Sequence, residues 1–201
     1  MYVKVCGLSR EADVDAAVAA GADAVGFVLT ASPRQVTPDR ARELAAAVPE
    51  SVTTVAVFRG EPLDEVREAA ARAGVTAVQL HGGEPPEAFA ALRADGYLVV
   101  RATSPDEAAP LVTGAYGEDA LIVDSPRPGS GERWDPAALG GTSPGGHWML
   151  AGGLGPGNVG DAVAALRPWG VDVSSGVESA RGVKDPALIE RFVKAAKEAA
   201  G

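Results

Sequence analysis

Eight short apolar runs recur along the chain at near-even intervals: Val3–Cys6, Ala24–Leu29, Thr53–Phe58, Ala77–Leu80, Tyr97–Arg101, Leu121–Val123, Trp148–Ala151 and Val171–Val173. Their apolar residues are consecutive rather than alternate. A strand with one wet face alternates, whereas a strand covered on both faces has no such need. The pattern predicts buried parallel strands.

The gaps carry helical spacing. Ser9 is placed to cap a helix with Val14 and Val18 on one face and Gly21 as its stop. Thr37-Pro38 reads as a cap followed by proline at the first helical position, with Leu44 and Val48 inward. Helices follow over 63–74 (Val66, Ala70 inward) and 84–95 (Phe89, Leu92 inward). Ser104-Pro105-Asp106-Glu107 has the form of a capping box. Trp134–Leu139 is a short helical candidate, Val159–Leu166 has Val163 and Leu166 inward, and Asp185-Pro186 opens a last helix with Leu188, Ile189, Phe192 and Val193 on its core face.

Units of strand then helix, each of roughly 20 to 29 residues, predict an α/β fold: a (β/α)8 barrel, or TIM barrel, as one catalytic domain over 1–201. A doubly wound open sheet has a similar period, but the G-x-G-x-x-G turn expected after its first strand is missing. The glycine-rich stretch 140–146 precedes a strand, which puts it on the barrel face away from the chemistry, as a plain loop.

Composition narrows the function. The net charge of −9 argues against a nucleic-acid partner, which needs a basic face, but leaves room for a small anion held by a local arginine and backbone N–H groups. No run approaches the roughly 20 apolar residues that span a bilayer, so no membrane partner is expected. Met1-Tyr2-Val3-Lys4-Val5 leads straight into a strand pattern with no signal-like segment, and the single cysteine, Cys6, forms no disulfide within the chain. A cytoplasmic setting follows as an expectation. One cysteine and two histidines, His81 and His147, offer no spaced ligand set, so no metal site is expected.

In a (β/α)8 barrel the chemistry sits just past the strand ends. Strand 1 offers Cys6, followed by Gly7 near a helix start; it is either a thiol of lowered pKa, acting as nucleophile or base, or a small buried hydrophobe. Strand 6 offers Asp124, a general acid or base, or else a loop cap before Ser125-Pro126. The nearby Gly129-Ser130-Gly131 suggests a loop approaching the site. Arg34, after Ser32-Pro33, can fork onto a substrate carboxylate or simply be solvated. Gln79 and His81 end strand 4, His81 reading more as a structural hydrogen-bonding residue. Arg59 and Arg101 add positive potential or are solvated. Strands 7 and 8 end in Gly152-Gly153 and Asp172-Val173-Ser174-Ser175-Gly176, each before residues able to open a helix. One such end is explained by a tight turn. Two in succession, after strands 7 and 8, point to a phosphate grip.

Taken in order, these segments resemble the phosphoribosylanthranilate isomerase family of tryptophan biosynthesis over nearly the whole chain. Val3-Lys4-Val5-Cys6-Gly7-Leu8, Gly26-Phe27-Val28, Ser32-Pro33-Arg34, Val57-Phe58, Val78-Gln79-Leu80-His81-Gly82, Val123-Asp124-Ser125, Leu150-Ala151-Gly152-Gly153-Leu154 with Asn158-Val159, and Asp172-Val173-Ser174-Ser175-Gly176-Val177-Glu178 carry the likeness. Arg59, Arg101 and Arg181 depart from the residues common in the family at those places.

The resemblance implies an Amadori rearrangement of N-(5-phosphoribosyl)anthranilate to the 1-deoxyribulose phosphate, with neither cofactor nor metal. It implies Asp124 as acid and Cys6, as thiolate, as base. It further implies substrate contacts from Arg34, Gln79, His81, Gly152, Gly153, Asp172, Ser175 and Gly176, and a monomer or homodimer. Two rivals stand beside it. A histidine-pathway sugar isomerase shares the phosphate end but has an aspartate as its strand-1 base, where this chain has Cys6. A silent phosphate-binding barrel has no physical reason to keep both Cys6 and Asp124.

Overall fold

Eight parallel strands close on themselves: β1 (Tyr2–Cys6), β2 (Ala24–Val28), β3 (Thr53–Phe58), β4 (Ala77–Leu80), β5 (Leu98–Thr103), β6 (Ala120–Val123), β7 (Trp148–Leu150) and β8 (Gly170–Val173), each paired with the next and β8 with β1. The computed structural model describes residues 1–125 and 143–199. The predicted (β/α)8 barrel is therefore the observed architecture, with strand ends moved by at most two residues. Each strand points alternate side chains to opposite faces, and the chain buries two kinds of apolar cluster accordingly. The larger mixes strand residues such as Val5, Phe27, Phe58 and Leu121 with helix residues such as Val14, Leu44, Phe89 and Phe192. The smaller two contain Cys6, Ala24, Val28, Val55, Val57 and Ala77, and Val100, Ala102, Ala120, Ile122, Met149 and Ala151. These last are the barrel interior. Beyond its first residue every strand of the barrel is buried on both faces, which is why the runs read as continuous rather than alternating.

The helices are α1 (Glu11–Ala19), α2 (Pro38–Ala45), α3 (Leu63–Ala73), α4 (Pro86–Ala94), α5 (Val159–Leu166) and α6 (Pro186–Glu198). The Thr37 side chain accepts from Arg40 N, and Asp185 accepts from the N–H groups of Ala187 and Leu188. Each such cap is worth about 1 kcal/mol. Gly74 ends α3 in the left-handed conformation, φ 64°. Two expected caps fail. Ser9 does not cap α1; Arg10 precedes it, with no side-chain cap, and forks instead onto Asp13. The Ser104–Glu107 box opens no helix: Glu107 accepts from Thr103 Oγ1 at 2.8 Å, and Pro110 and the left-handed Gly114 and Gly117 interrupt the next stretch. The Trp134–Leu139 helix, the Gly129-Ser130-Gly131 loop and residues 140–142 lie outside the described residues.

Two features fix the ends of the barrel. Near its N-terminal mouth the Tyr2 ring stacks on Trp169 with centroids 4.4 Å apart, and His147 packs against the same indole at 4.5 Å. After β8, a turn of 3-10 helix (Ser175–Val177) leads into a hairpin of β9 (Glu178–Ala180) and β10 (Val183–Lys184). That hairpin sits against the loop after β2, where a side chain on Gly182 (φ 81°) would meet Pro33 O at 2.8 Å.

Candidate active site

Cys6 ends β1 on the inward face, 7 % exposed, opposite Gly26 of β2. Gly26 has to be bare: a methyl group there would lie 3.0 Å from Cys6 Sγ and 3.4 Å from Lys4 Cε. One glycine thus leaves room for both side chains. The helix start expected from a Ser9 cap comes one residue later, with Arg10 preceding α1. The N–H groups of Gly7 and Leu8 both donate to Gly26 O, and α1 begins only at Glu11. Correspondingly the expected lowering of the thiol is reversed. Burial pushes Cys6 up; Lys4 opposes this most strongly, Asp172 adds to it, and Lys184 pulls down.

Lys4 is the residue that reading strand ends misses. It is 1 % exposed inside the barrel, and its Nζ donates to Asp172 Oδ1 at 3.0 Å. The closing register β1–β8 pairs Lys4 with Asp172 directly. Burial works against the ammonium, but Asp172 and Cys6 outweigh it and hold Lys4 charged above its ordinary range. The available signal is parity: Lys4 is the one charged residue within Val3–Cys6, two positions from Cys6, hence on the same face. Asp172, expected at the substrate, gives one carboxylate oxygen, Oδ1, to Lys4.

Asp124 follows β6 on the inward parity of Ala120 and Ile122. Its backbone N–H donates to Thr103 O at 2.8 Å. Its Oδ1 is buried and has no hydrogen-bond partner among the described residues. Burial, and then the negative charge of Asp172, push the carboxyl up to about 6. That is the direction an acid catalyst needs. Gly152 (φ 83°) is part of this seat: a methyl group on it would sit 2.2 Å from Asp124 Oδ1.

Arg34 stands at the mouth, but its fork is taken. Nε and Nη2 donate to the Glu178 carboxylate at 2.5 and 3.0 Å. The same carboxylate accepts from Lys184 Nζ at 3.0 Å and Gly182 N at 3.0 Å. Glu178 is consequently held down to about 2: burial raises it, and the bonds from Arg34, Gly182 and Lys184 win. Lys184, 2 % exposed, also donates to Ser174 O and Oγ at 2.8 and 3.2 Å. A bidentate grip by Arg34 on a substrate carboxylate, as expected from sequence, is therefore replaced by a grip on Glu178. Sequence spacing does not single out Lys184 and Glu178, because only the hairpin turn brings them together.

The two glycine ends do converge. Gly153, Leu154, Gly155, Gly157, Asn158, Ser175 and Gly176 line an open hollow of about 370 Å³ at the start of α5. Asn158 makes it rigid: its Oδ1 accepts from Gly155 N and its Nδ2 donates to Gly153 O, both at 2.8 Å. Gly176 is obligatory, because a methyl group there would lie 1.7 Å from Leu154 O. Bare backbone and a helix N-terminus are what an anion binds.

Gln79 faces inward, 4 % exposed, with Oε1 unbonded among the described residues. His81 donates its backbone N–H to Phe58 O at 3.0 Å, and its ring is pushed towards neutral by burial and then by Arg59. Arg59 is exposed at the mouth, on the inward parity of Val55 and Val57. Arg101 does not reach the mouth. It lies on the outward face, 3 % exposed, where it donates to Glu118 Oε1 (2.8 Å), Pro110 O (2.8 Å) and Val112 O (3.1 Å) under the Tyr116 ring. It organises the β5–β6 connection. Arg181 is exposed beside Gly182 in the β9–β10 turn.

A raised carboxyl, a thiol and an anion hollow on one rim of such a barrel suit an aldose–ketose isomerase of a phosphorylated sugar, the class to which the family match below assigns the chain. A family model for N-(5'phosphoribosyl)anthranilate (PRA) isomerase matches residues 3–195, and the chain belongs to that family. It is 46 % identical over 202 residues to the N-(5'-phosphoribosyl)anthranilate isomerase of Deinococcus radiodurans, covering 97 % of this chain and 96 % of that one. Among solved structures, TrpF from Jonesia denitrificans superposes with a TM-score of 0.93 at 48 % identity, over 100 % of this chain and 98 % of that chain. A phosphoribosyl anthranilate isomerase in complex with reduced 1-(o-carboxyphenylamino)-1-deoxyribulose 5-phosphate superposes with a TM-score of 0.84 at 34 % identity, over 98 % and 99 %. No helix among the described residues is long and apolar enough to cross a membrane.

Proposed function

We propose that Asp124 and Cys6 are the acid and the base by which this isomerase converts N-(5'-phosphoribosyl)anthranilate to the 1-deoxyribulose 5-phosphate. The observation that carries the reading is placement: a buried carboxyl raised to about 6, and a thiol with the Lys4 ammonium beside it, both on inward faces at the same end of the strands.

Asp124 in its protonated form gives its proton to the furanose ring oxygen. The C1–O bond breaks, and the nitrogen lone pair forms an iminium ion. That cation acidifies the proton on C2. The Cys6 thiolate removes it, giving an enolamine that tautomerises to the ketone. Each transfer by a placed group contributes about 10² to 10⁴ in rate. The hollow at Gly153, Ser175 and Gly176 takes the phosphate and fixes the sugar between the two groups. Arg34, braced by Glu178, faces the anthranilate carboxylate with Nη1, the nitrogen its salt bridge leaves over. Gln79 and His81, at the end of β4, contribute to holding the substrate.

The test is the decay of substrate fluorescence on turnover. Cys6→Ala and Asp124→Ala are each expected to lower kcat by at least about two decades. Near-normal turnover in either variant removes that residue from its role.

A further inference from the structure

A lysine ammonium buried in a barrel interior is costly. Each desolvated charge carries a penalty of several kcal/mol, and apolar packing of the same volume is often more stable. Lys4 nevertheless sits 1 % exposed among apolar strands. Its Nζ has one carboxylate partner, Asp172, at 3.0 Å. A methyl group on Gly26 would touch both Cys6 Sγ and Lys4 Cε, so the sulfur and the lysine tip share one small space. The barrel therefore seats a fixed positive charge directly beneath the only thiol in the chain.

We propose that Lys4 is a positioning residue for the reaction: with Asp172 holding it in place, it stabilises the Cys6 sulfur as an anion so that the sulfur can take the substrate proton. The inference rests on the reading of Cys6 as base. Lys4 itself gives up no proton. The C2–H bond breaks, the S–H bond forms, and the ammonium stays charged throughout. Charged groups face Cys6 from three further elements: Asp172 on β8, Lys184 on β10 and Arg34 in the loop after β2. Lys184 and Arg34 are both committed to Glu178, whereas Lys4 is shared only between Asp172 and the sulfur.

Because Cys6 is the sole cysteine, the rate of alkylation by iodoacetamide as a function of pH reads its ionisation without ambiguity. Lys4→Gln is expected to slow alkylation at neutral pH by about tenfold and to lower kcat similarly, with KM changed less. Asp172→Asn removes an anion and leaves the ammonium to the sulfur, so its alkylation at neutral pH is expected to be faster than that of the parent chain. Opposite directions are the signature, since an ion pair that merely closed the ring would loosen the site in the same sense from either side. Should Lys4→Gln not fold, Asp172→Asn decides alone. Shifts in one common direction, or an unaltered profile in a folded variant, overturn the proposal. A Cys6→Ala variant that still turns over would instead sink the base assignment, and leaves the alkylation profiles to speak for Lys4 separately.

Discussion

Gly152 and Asp124 meet so closely that the bare Cα of one is a wall of the other's seat: a methyl group on Gly152 would lie 2.2 Å from Asp124 Oδ1 and 2.5 Å from Ser125 Cβ. Gly152 also holds φ 83°, where a side chain is strained in any case. Gly152→Ala is therefore expected to displace the carboxyl. Steady-state kinetics should show kcat down by about 10² with a smaller change in KM, since a placed acid supplies roughly that much. A variant with parental kcat would show that the carboxyl is not held from this side.

Asp124 is ordinary in the unfolded chain and raised to about 6 when folded. The folded state then binds its proton more tightly than the unfolded one, so stability falls as pH rises from about 4 through 6 and stays lowered above. Asp124→Asn should stabilise the protein by on the order of 2 kcal/mol at pH 7, and the gain should vanish by about pH 4. Denaturant melts at the two pH values check this. In the active chain, the same value sets the acid limb of kcat/KM, which rises with pH up to about 6 as the thiolate fraction grows against a still-protonated acid, then levels.

Gly176→Ala forces its methyl group into Leu154 O, 1.7 Å away, and so opens the anion hollow. Its effect should fall on KM, raised about tenfold or more, which is roughly 1.4 kcal/mol of binding. Inhibition by inorganic phosphate should weaken in parallel. Loss of kcat with KM intact would mean that the hollow is not where the phosphate goes.

Glu178 has the opposite sign to Asp124. Its carboxyl is held down to about 2 against an ordinary value of 4.5. The stability it contributes is fully present above about pH 4.5 and is lost as pH falls towards 2. Glu178→Gln leaves Lys184 buried with its charge uncompensated, so a loss of about 3 kcal/mol at neutral pH is expected. The variant should also lack the acid-side fall in stability. Thermal melts from pH 2 to 7 read both.

The strand runs were legible because each strand is buried on both faces beyond its first residue, and apolar continuity is local information. Thr37-Pro38 and Asp185-Pro186 were legible for the same reason: a cap and its helix lie within four residues. Ser104–Glu107 carries the same local signal, yet the buried Arg101–Glu118 pair, with Pro110 and two left-handed glycines, dictates the connection instead. At the rim, Cys6, Asp124, Gly153, Ser175 and Gly176 are singled out as candidates by their place at or after strand ends. Lys4–Asp172 spans 168 residues and Arg34–Glu178 spans 144, and no spacing in the sequence announces either. The contact of Gly152 with Asp124 shows the same limit, because what a missing side chain leaves room for is visible only once its neighbour across the sheet is known.

Ring closure between the first and last strands has a consequence for the chain as it is made. Lys4 and Cys6 are made more than 160 residues before Asp172, Glu178 and Lys184. Until β8 docks beside β1, the sulfur is an unguarded side chain, with neither its shelter nor its full set of neighbouring charges. The setting of the sulfur is thus a product of ring closure, and an unclosed barrel carries the same cysteine without its charged neighbours.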